Sequence, residues 1–280
     1  MNLPLVDYTA DNAAELFVKS LHETGFGVLI NHPIPKSLVE SIYNNWQEFF
    51  NSQEKFSFTF DPEKQDGYFS TETSETAKGH KKKDIKEYYH IYPWGRIPDN
   101  LRDEILTYYK LASDLASELL SWVEAHSPAD VAALYSEPLK QMIVDTPNTL
   151  LRVLHYPPLK GDEELGAIRA AAHEDINLLT ILPAANEPGL QVKSSEGEWL
   201  DVPSTFGNLI VNIGDMLQET SAGYFPSTTH RVVNPVGTST DKSRISLPLF
   251  LHPRSEVKLS EKHTQASYLL ERLRELGVKV

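Results

Sequence analysis

The segment RAAAHEDINLLTIL, residues 169–182, sets His173 and Asp175 one residue apart at the head of an apolar, β-prone run. On a strand, residues i and i+2 share a face, so both side chains can converge on one ion while Glu174 turns away. A lone His-x-Asp is more often the polar start of a strand than a metal site, and these two residues alone do not carry the metal reading. His230, at the head of HRVVNP, adds a second imidazole that a later strand of a two-sheet roll can bring against the first. Two imidazoles and one carboxylate make the facial triad that suits non-heme Fe(II), leaving positions open for substrate and oxygen. Arg244 and Ser246, in RIS, share a strand face by the same period of two. Together they can hold a carboxylate, Arg through a two-pronged ion pair and Ser through an added hydrogen bond.

The elements that must position these groups follow from the spacing of apolar residues. Residues 1–146 read as a mainly helical region. Asp11 or Thr9 can cap a first helix with Leu16, Phe17 and Leu21 on one face, which Gly25 and Gly27 break before a short strand at Val28 to Ile30. Pro35 and Ser37 open a second helix with Leu38, Ile42, Trp46 and Phe49 inward. From Asp61 to Gly95 periodicity fails, which marks residues 61–98 as a loop of a length that is usually functional or disordered. Asp99 then caps a long helix through Leu101, Ile105, Tyr108, Leu111, Leu115, Leu119 and Trp122, placed to brace the strands after it. Past Pro147 the texture becomes β: LLRVLHY, INLLTIL, GLQV, WLDV, LIVNI, HRVV and RISLPLFL are separated by turn chemistries such as NEPG and SSEGE. Strands at this density predict a mixed α/β chain with a jelly-roll or similar antiparallel core over 147–257 and a closing helix, Gln265 to Leu276, within 258–280.

Composition removes several function classes. The net charge of −13 opposes binding to nucleic acid or an anionic membrane, and the basic run Lys81 to Lys83 reads as a solvated loop. With no cysteine there is no disulfide framework, thiolate metal site or Cys nucleophile, so a metal here takes N and O ligands. The amino terminus MNLPLVDYTADNAAEL lacks a basic n-region and an apolar segment, and no run approaches the roughly 20 apolar residues of a membrane span, so a cytoplasmic location is expected.

With HED at 173–175, His230 and RIS at 244–246 in hand, the chain resembles the 2-oxoglutarate and Fe(II)-dependent oxygenases, specifically the isopenicillin N synthase-like branch. Similar to that family too are LVDY and GFGVLINHPIP, DIKEYY at 84–89, LRVLHYPP at 151–158, PGLQV with EWLDVP, and NIGDMLQETSAGYFPSTTHRVVNP at 212–235. The resemblance implies a double-stranded β-helix core braced by amino-terminal helices and a carboxy-terminal helix. It implies His173, Asp175 and His230 as iron ligands, Arg244 and Ser246 at the distal carboxylate of 2-oxoglutarate, and Tyr156 beside that co-substrate. Where the family frequently carries Asn two residues before the tyrosine, this chain has Leu154. The implied reaction uses Fe(II), 2-oxoglutarate and O2, with ascorbate as reductant, and oxidises a small organic substrate, most often by hydroxylation, with release of succinate and CO2.

Tyr68, Glu87 and Phe250 are candidates for the substrate wall; Phe250 lies four residues past Ser246 and returns to the same strand face. His22, His80, His126 and His263 read as surface residues, and His32, His90, His155 and His252 as hydrogen-bonded structural ones. Arg152 and Arg169 read as ion-pairing residues. Three alternatives stay open at this level: an Fe(II)/O2 oxidase of the same family that uses no 2-oxoglutarate, an ethylene-forming variant, and a non-catalytic jelly-roll binding module.

Overall fold

A computed structural model describes residues 3–73, 84–161, 163, 167–203, 205–235 and 241–275. His80 and the Lys81 to Lys83 run lie outside these described residues. Helices of the first half form where apolar residues recur every three or four positions. Helix α1 (Ala13–Thr24) buries Phe17, Val18 and Leu21, whereas Leu16, expected on that face, is 42% exposed. Asn12, not Asp11 or Thr9, occupies the N-cap and makes no side-chain cap bond; Thr9 is held by the Asp7 carboxylate instead. Gly25 ends α1 in the left-handed region at φ 73°, its N–H bonded to Leu21 O. A Cβ there would overlap Thr228 Oγ1, so glycine lets α1 close against the segment that leads into His230.

Helix α2 (Lys36–Asn51) buries Val39, Ile42, Trp46 and Phe49, with Leu38 only partly covered. Helix α3 (Asp99–Ala125) starts from Pro98 at the N-cap, and Asp99 is its first residue rather than the cap, where its carboxylate still faces the positive helix end. Its Tyr108 hydroxyl donates to Leu247 O at 3.3 Å, which ties the brace to the strand carrying Ser246. Short helices α4 (Ala129–Ala132) and α5 (Asp215–Thr220) follow, and α6 (Gln265–Glu275) closes the described chain; Leu276 lies outside it. Among the described residues no helix is long and apolar enough to cross a membrane.

Among the described residues thirteen strands make two facing sheets, and they are β1 (Leu5–Asp7), β2 (Phe26–Ile30), β3 (Gly67–Phe69), β4 (Glu87–Ile91), β5 (Leu150–Tyr156), β6 (Ala170–His173), β7 (Leu179–Pro183), β8 (Leu190–Lys193), β9 (Trp199–Asp201), β10 (Leu209–Ile213), β11 (His230–Val232), β12 (Arg244–Ser246) and β13 (Leu249–Leu251). The nine-stranded sheet runs β1-β2-β10-β7-β13-β5-β4-β3, with β12 also on β5, and the four-stranded sheet runs β6-β11-β8-β9. This is the jelly-roll arrangement the strand density predicts. One apolar cluster lies between the large sheet and the helices, with Trp46, Tyr108 and Leu151 fully buried. A second, containing Phe26, Leu154, Tyr156, Ala170, Leu190 and Val232, joins residues of both sheets and makes the inner layer of the roll.

Three sequence expectations change. Residues 61–98 are not one loop, because β3 and β4 cross them; every residue of EYYHI is buried, so neither alternation nor helical spacing appears. The large sheet therefore extends through β1 to β4 into the region read as mainly helical. INLLTIL is strand only from Leu179, so His173 ends β6 and Asp175 lies in the connection to β7. The two ligands are thus brought together by a turn between two sheets, not by the period of one strand.

Candidate metal centre and its cavity

The β6–β11 pairing places His230 directly opposite His173, with ring centroids 4.5 Å apart. His173 Nδ1 lies 2.7 Å from Ala171 O and His230 Nδ1 lies 3.1 Å from Thr228 O. A carbonyl can only accept, so each Nδ1 carries the proton and each Nε2 offers its lone pair to the space between the rings. Asp175 enters that space from the turn. Its Oδ2 accepts hydrogen bonds from Thr180 Oγ1 (2.5 Å) and Asn212 Nδ2 (2.8 Å), which leaves Oδ1 at 3.8 Å from both Nε2 atoms. One ligand atom from each of the three lies within 4.8 Å of the others. Burial and the neighbouring His230 hold His173 down to about 4, so it is the neutral imidazole that can ligate. Burial pushes the Asp175 carboxyl up, but His230, His173 and its two hydrogen bonds outweigh that and keep it below the usual value, ionised. Glu174 turns outward and accepts from Thr229 Oγ1, as the sequence suggests.

The triad opens into a cavity of about 70 Å³ whose walls include Phe26, Leu154, Leu182, Leu190 and Val232. Arg244, Ser246, Tyr156 and Phe250 also line it, although Pro248 breaks the run that carries them into β12 and β13. Arg244 pairs with Tyr156 across β12 and β5, and Ser246 with Leu154, so the guanidinium and hydroxyl share the cavity face. The Arg244 guanidinium is 2% exposed and lies 5.2 Å from the Tyr156 ring; its Nε donates to Glu187 O at 3.0 Å. Its Nη1 is buried without a hydrogen-bond partner, and among the described residues no carboxylate pairs with it. Burial pulls its pKa down from the ordinary arginine value, a cost that a bound acid would relieve.

Tyr68 and Glu87 are not brought to the cavity. Glu87 pairs with His155, and Tyr68 with Tyr89, on the face of the large sheet turned toward α2. There the Tyr68 hydroxyl donates to the Glu87 carboxylate, which also meets Lys55 Nζ at 3.0 Å and His155 Nδ1 at 2.7 Å. By strand alternation the neighbours face the other way: Lys86, which sequence reasoning passed over, and Arg152, which it read as ion-pairing, both line the cavity. For Arg152 the signal was present in LRVLHY, which sets it on the Tyr156 face, whereas the strand that follows Lys86 is buried at every residue and shows no phase. Lys86 Nζ lies 2.7 Å from Asp84, whose second oxygen accepts the Ala171 N–H, so this buried pair also fixes the strand that ends in His173. Arg169, expected to ion-pair, is fully buried and donates to Lys242 O at 2.8 Å.

Of the remaining histidines, His22 and His126 are exposed as expected. His90, His155 and His32 make buried or partly buried hydrogen bonds. His32 and His252 each keep a buried Nδ1 with no hydrogen-bond partner among the described residues. His263 is not a surface residue; it is 8% exposed, edge-on to Tyr268.

A jelly roll with a His-Asp-His centre beside a buried arginine that no carboxylate pairs among the described residues fits an Fe(II) oxygenase architecture, and comparison with known proteins agrees. Residues 147–253 match the family model of the 2OG-Fe(II) oxygenase superfamily, and residues 3–110 match that described as non-haem dioxygenase in morphine synthesis N-terminal. A crystal structure of a putative oxygenase from Shewanella oneidensis is 64% identical, with 100% of each chain covered and a TM-score of 0.91. A full-length Neurospora crassa protein crystallised in complex with alpha-KG is 25% identical over 97% of this chain and 95% of that one, TM-score 0.80. Oxoglutarate-dependent flavonoid 7-O-demethylase 1 from Ocimum basilicum is 29% identical over 91% of this chain and 69% of its own length. The chain belongs to the 2-oxoglutarate and Fe(II)-dependent oxygenase superfamily, whose members are enzymes that use Fe(II), 2-oxoglutarate and O2.

Proposed function

We propose that the protein oxidises a small organic substrate, by hydroxylation, while converting 2-oxoglutarate to succinate and CO2. The observation that carries this reading is the pairing, in one cavity, of three convergent metal-ligand atoms with a buried arginine whose Nη1 has no hydrogen-bond partner among the described residues. His173, Asp175 and His230 would hold the ferrous ion, and Arg244 with Ser246 would hold the distal carboxylate of 2-oxoglutarate. Bound together, iron and co-substrate supply the oxidising power: one oxygen atom of O2 enters the substrate and the other enters succinate. The chain's own residues do the rest. The backbone carbonyls of Ala171 and Thr228 orient the imidazoles, Thr180 and Asn212 hold Asp175, and the apolar wall excludes water from the reacting C–H bond.

The test is Fe(II)-dependent release of succinate from 2-oxoglutarate by the purified protein. Succinate release lost in His173→Ala is expected. Arg244→Gln exchanges a charge-assisted contact worth about 1.5–3 kcal/mol for a weaker one, so 2-oxoglutarate should bind about 10- to 150-fold less tightly. Oxygen consumption with a substrate but without 2-oxoglutarate would overturn the reading in favour of the oxidase alternative.

A further inference from the structure

We infer that Lys86 is a second binding group for 2-oxoglutarate, donating to its 2-oxo acid end while Arg244 holds the other end; this rests on the oxygenase reading above. Strand register brings the two cations into line. β4 pairs with one edge of β5 through Glu87 opposite His155, and β12 pairs with the other edge through Arg244 opposite Tyr156. Carried one residue further along the same antiparallel ladder, Lys86 falls beside Tyr156, so Lys86, Tyr156 and Arg244 form one row across three neighbouring strands. All three line the cavity. Neighbouring strands are about 4.8 Å apart, which puts the Lys86 and Arg244 backbones about 10 Å from each other with Tyr156 between them. Two cations at that spacing match the two acid ends of one short dicarboxylate.

The Lys86 end of that row is the metal end. Lys86 is 7% exposed, and its Nζ lies 2.7 Å from Asp84 Oδ2, while Asp84 Oδ1 accepts the Ala171 N–H at 2.9 Å. Ala171 O in turn accepts from His173 Nδ1, so Lys86 is tied to the strand that carries the first metal ligand. After burial and His230, the Lys86 charge also disfavours protonation of His173. An ammonium has three N–H donors, and among the described residues Lys86 spends one of them, on Asp84. The others are left for a ligand in the cavity. Alternative donors near the triad are committed or lacking: Thr180 and Asn212 bond Asp175, and Leu154, Leu182 and Val232 have no polar side-chain atom. Asp84 also holds the ammonium in one place, which reduces the side-chain entropy lost when a carboxylate meets it.

The experiment titrates the full chain, loaded with Fe(II) under anaerobic conditions, with 2-oxoglutarate and with 2-oxopentanoate, which keeps the 2-oxo acid end and lacks the distal carboxylate. Binding is read by calorimetry and by the visible charge-transfer band. The double variant Asp84→Asn, Lys86→Met removes both charges of the buried pair and keeps an amide oxygen for the Ala171 N–H. It is expected to bind both acids about 10- to 150-fold less tightly, the range for one charge-assisted hydrogen bond, whereas Arg244→Gln weakens the first acid alone. A cation beside the 2-oxo acid stabilises the electron density that the transition moves onto it, so the band should shift to shorter wavelength in the double variant and stay in place in Arg244→Gln. Asp84→Asn alone, which keeps Lys86, should bind both acids at least as tightly as wild type, and Lys86→Arg should retain much of the affinity. If the double variant does not fold, Lys86→Gln, which can still bond Asp84, should show the same loss and the same shift. Unchanged affinity and an unmoved band in either variant overturn this proposal alone, as does a loss that Asp84→Asn shares. No band in folded, iron-loaded wild-type protein overturns the oxygenase reading and this proposal with it.

Discussion

Asp175 has two carboxylate oxygens, and the fold uses them for different purposes. Oδ2 is tied to Thr180 on β7 and Asn212 on β10, so Oδ1 is the only one aimed at the two imidazoles. Hydrogen bonds behind a metal ligand fix its direction, and losing one commonly costs 10- to 100-fold in affinity. Thr180→Val and Asn212→Leu are each expected to weaken Co(II) or Fe(II) binding by about that factor in an equilibrium titration; binding unchanged in both would contradict the assigned role. That His173, Asp175, His230, Arg244 and Ser246 come together was legible in the sequence, because few other side chains are suited to metal ligation or carboxylate capture. Thr180 and Asn212 were not, since a threonine and an asparagine inside apolar strands carry no spacing signal; only the three-dimensional approach of β7 and β10 to the turn reveals them.

At the scale of elements, β4 shows how one residue of phase decides a side chain's role. Glu87 and Lys86 are adjacent, yet Lys86 lines the cavity and Glu87 joins Lys55, Tyr68 and His155 under α2. The sequence places a strand at neither β3 nor β4, because a strand buried on both faces has no alternation, and without the strand the phase cannot be set. Where strands alternate with turn residues, as in β8 to β11, pattern and structure agree. The Glu87 cluster has a stability signature. Burial raises its carboxyl, but hydrogen bonds from His155, Tyr68 and Lys55 outweigh that and leave it below its ordinary 4.5. A depressed carboxyl contributes stability above its unfolded value and loses it as pH falls through the folded one. Breaking a buried charged set by removing one partner costs about 3–5 kcal/mol. Glu87→Ala should therefore unfold at markedly lower urea than wild type at neutral pH, and the gap should narrow at about pH 3.5. A gap equal at both pH values would contradict the account.

For the whole molecule, net charge and site charge have opposite signs. The chain carries −13, yet its cavity is walled by Lys86, Arg152 and Arg244. Composition reports the solvated surface, and it said nothing of three cationic side chains lining one cavity. The same organisation predicts linkage between ligand and fold, because the triad spans both sheets: His173 and His230 belong to the small sheet, and Asp175 is anchored to the large one. A ligand that binds only the folded state at 100 times its dissociation constant adds about 2.7 kcal/mol. Metal plus 2-oxoglutarate should raise the melting temperature of wild type by several degrees and of His230→Ala by far less; equal shifts would contradict a triad that joins the sheets.

Iron held by His173, Asp175 and His230, and chelated by 2-oxoglutarate, is tested most directly by the anaerobic visible spectrum of protein mixed with Fe(II) and then 2-oxoglutarate. A weak charge-transfer band that appears only when both are present, and is abolished in His173→Ala, is the predicted result. Folded, iron-loaded protein that develops no such band would contradict the account.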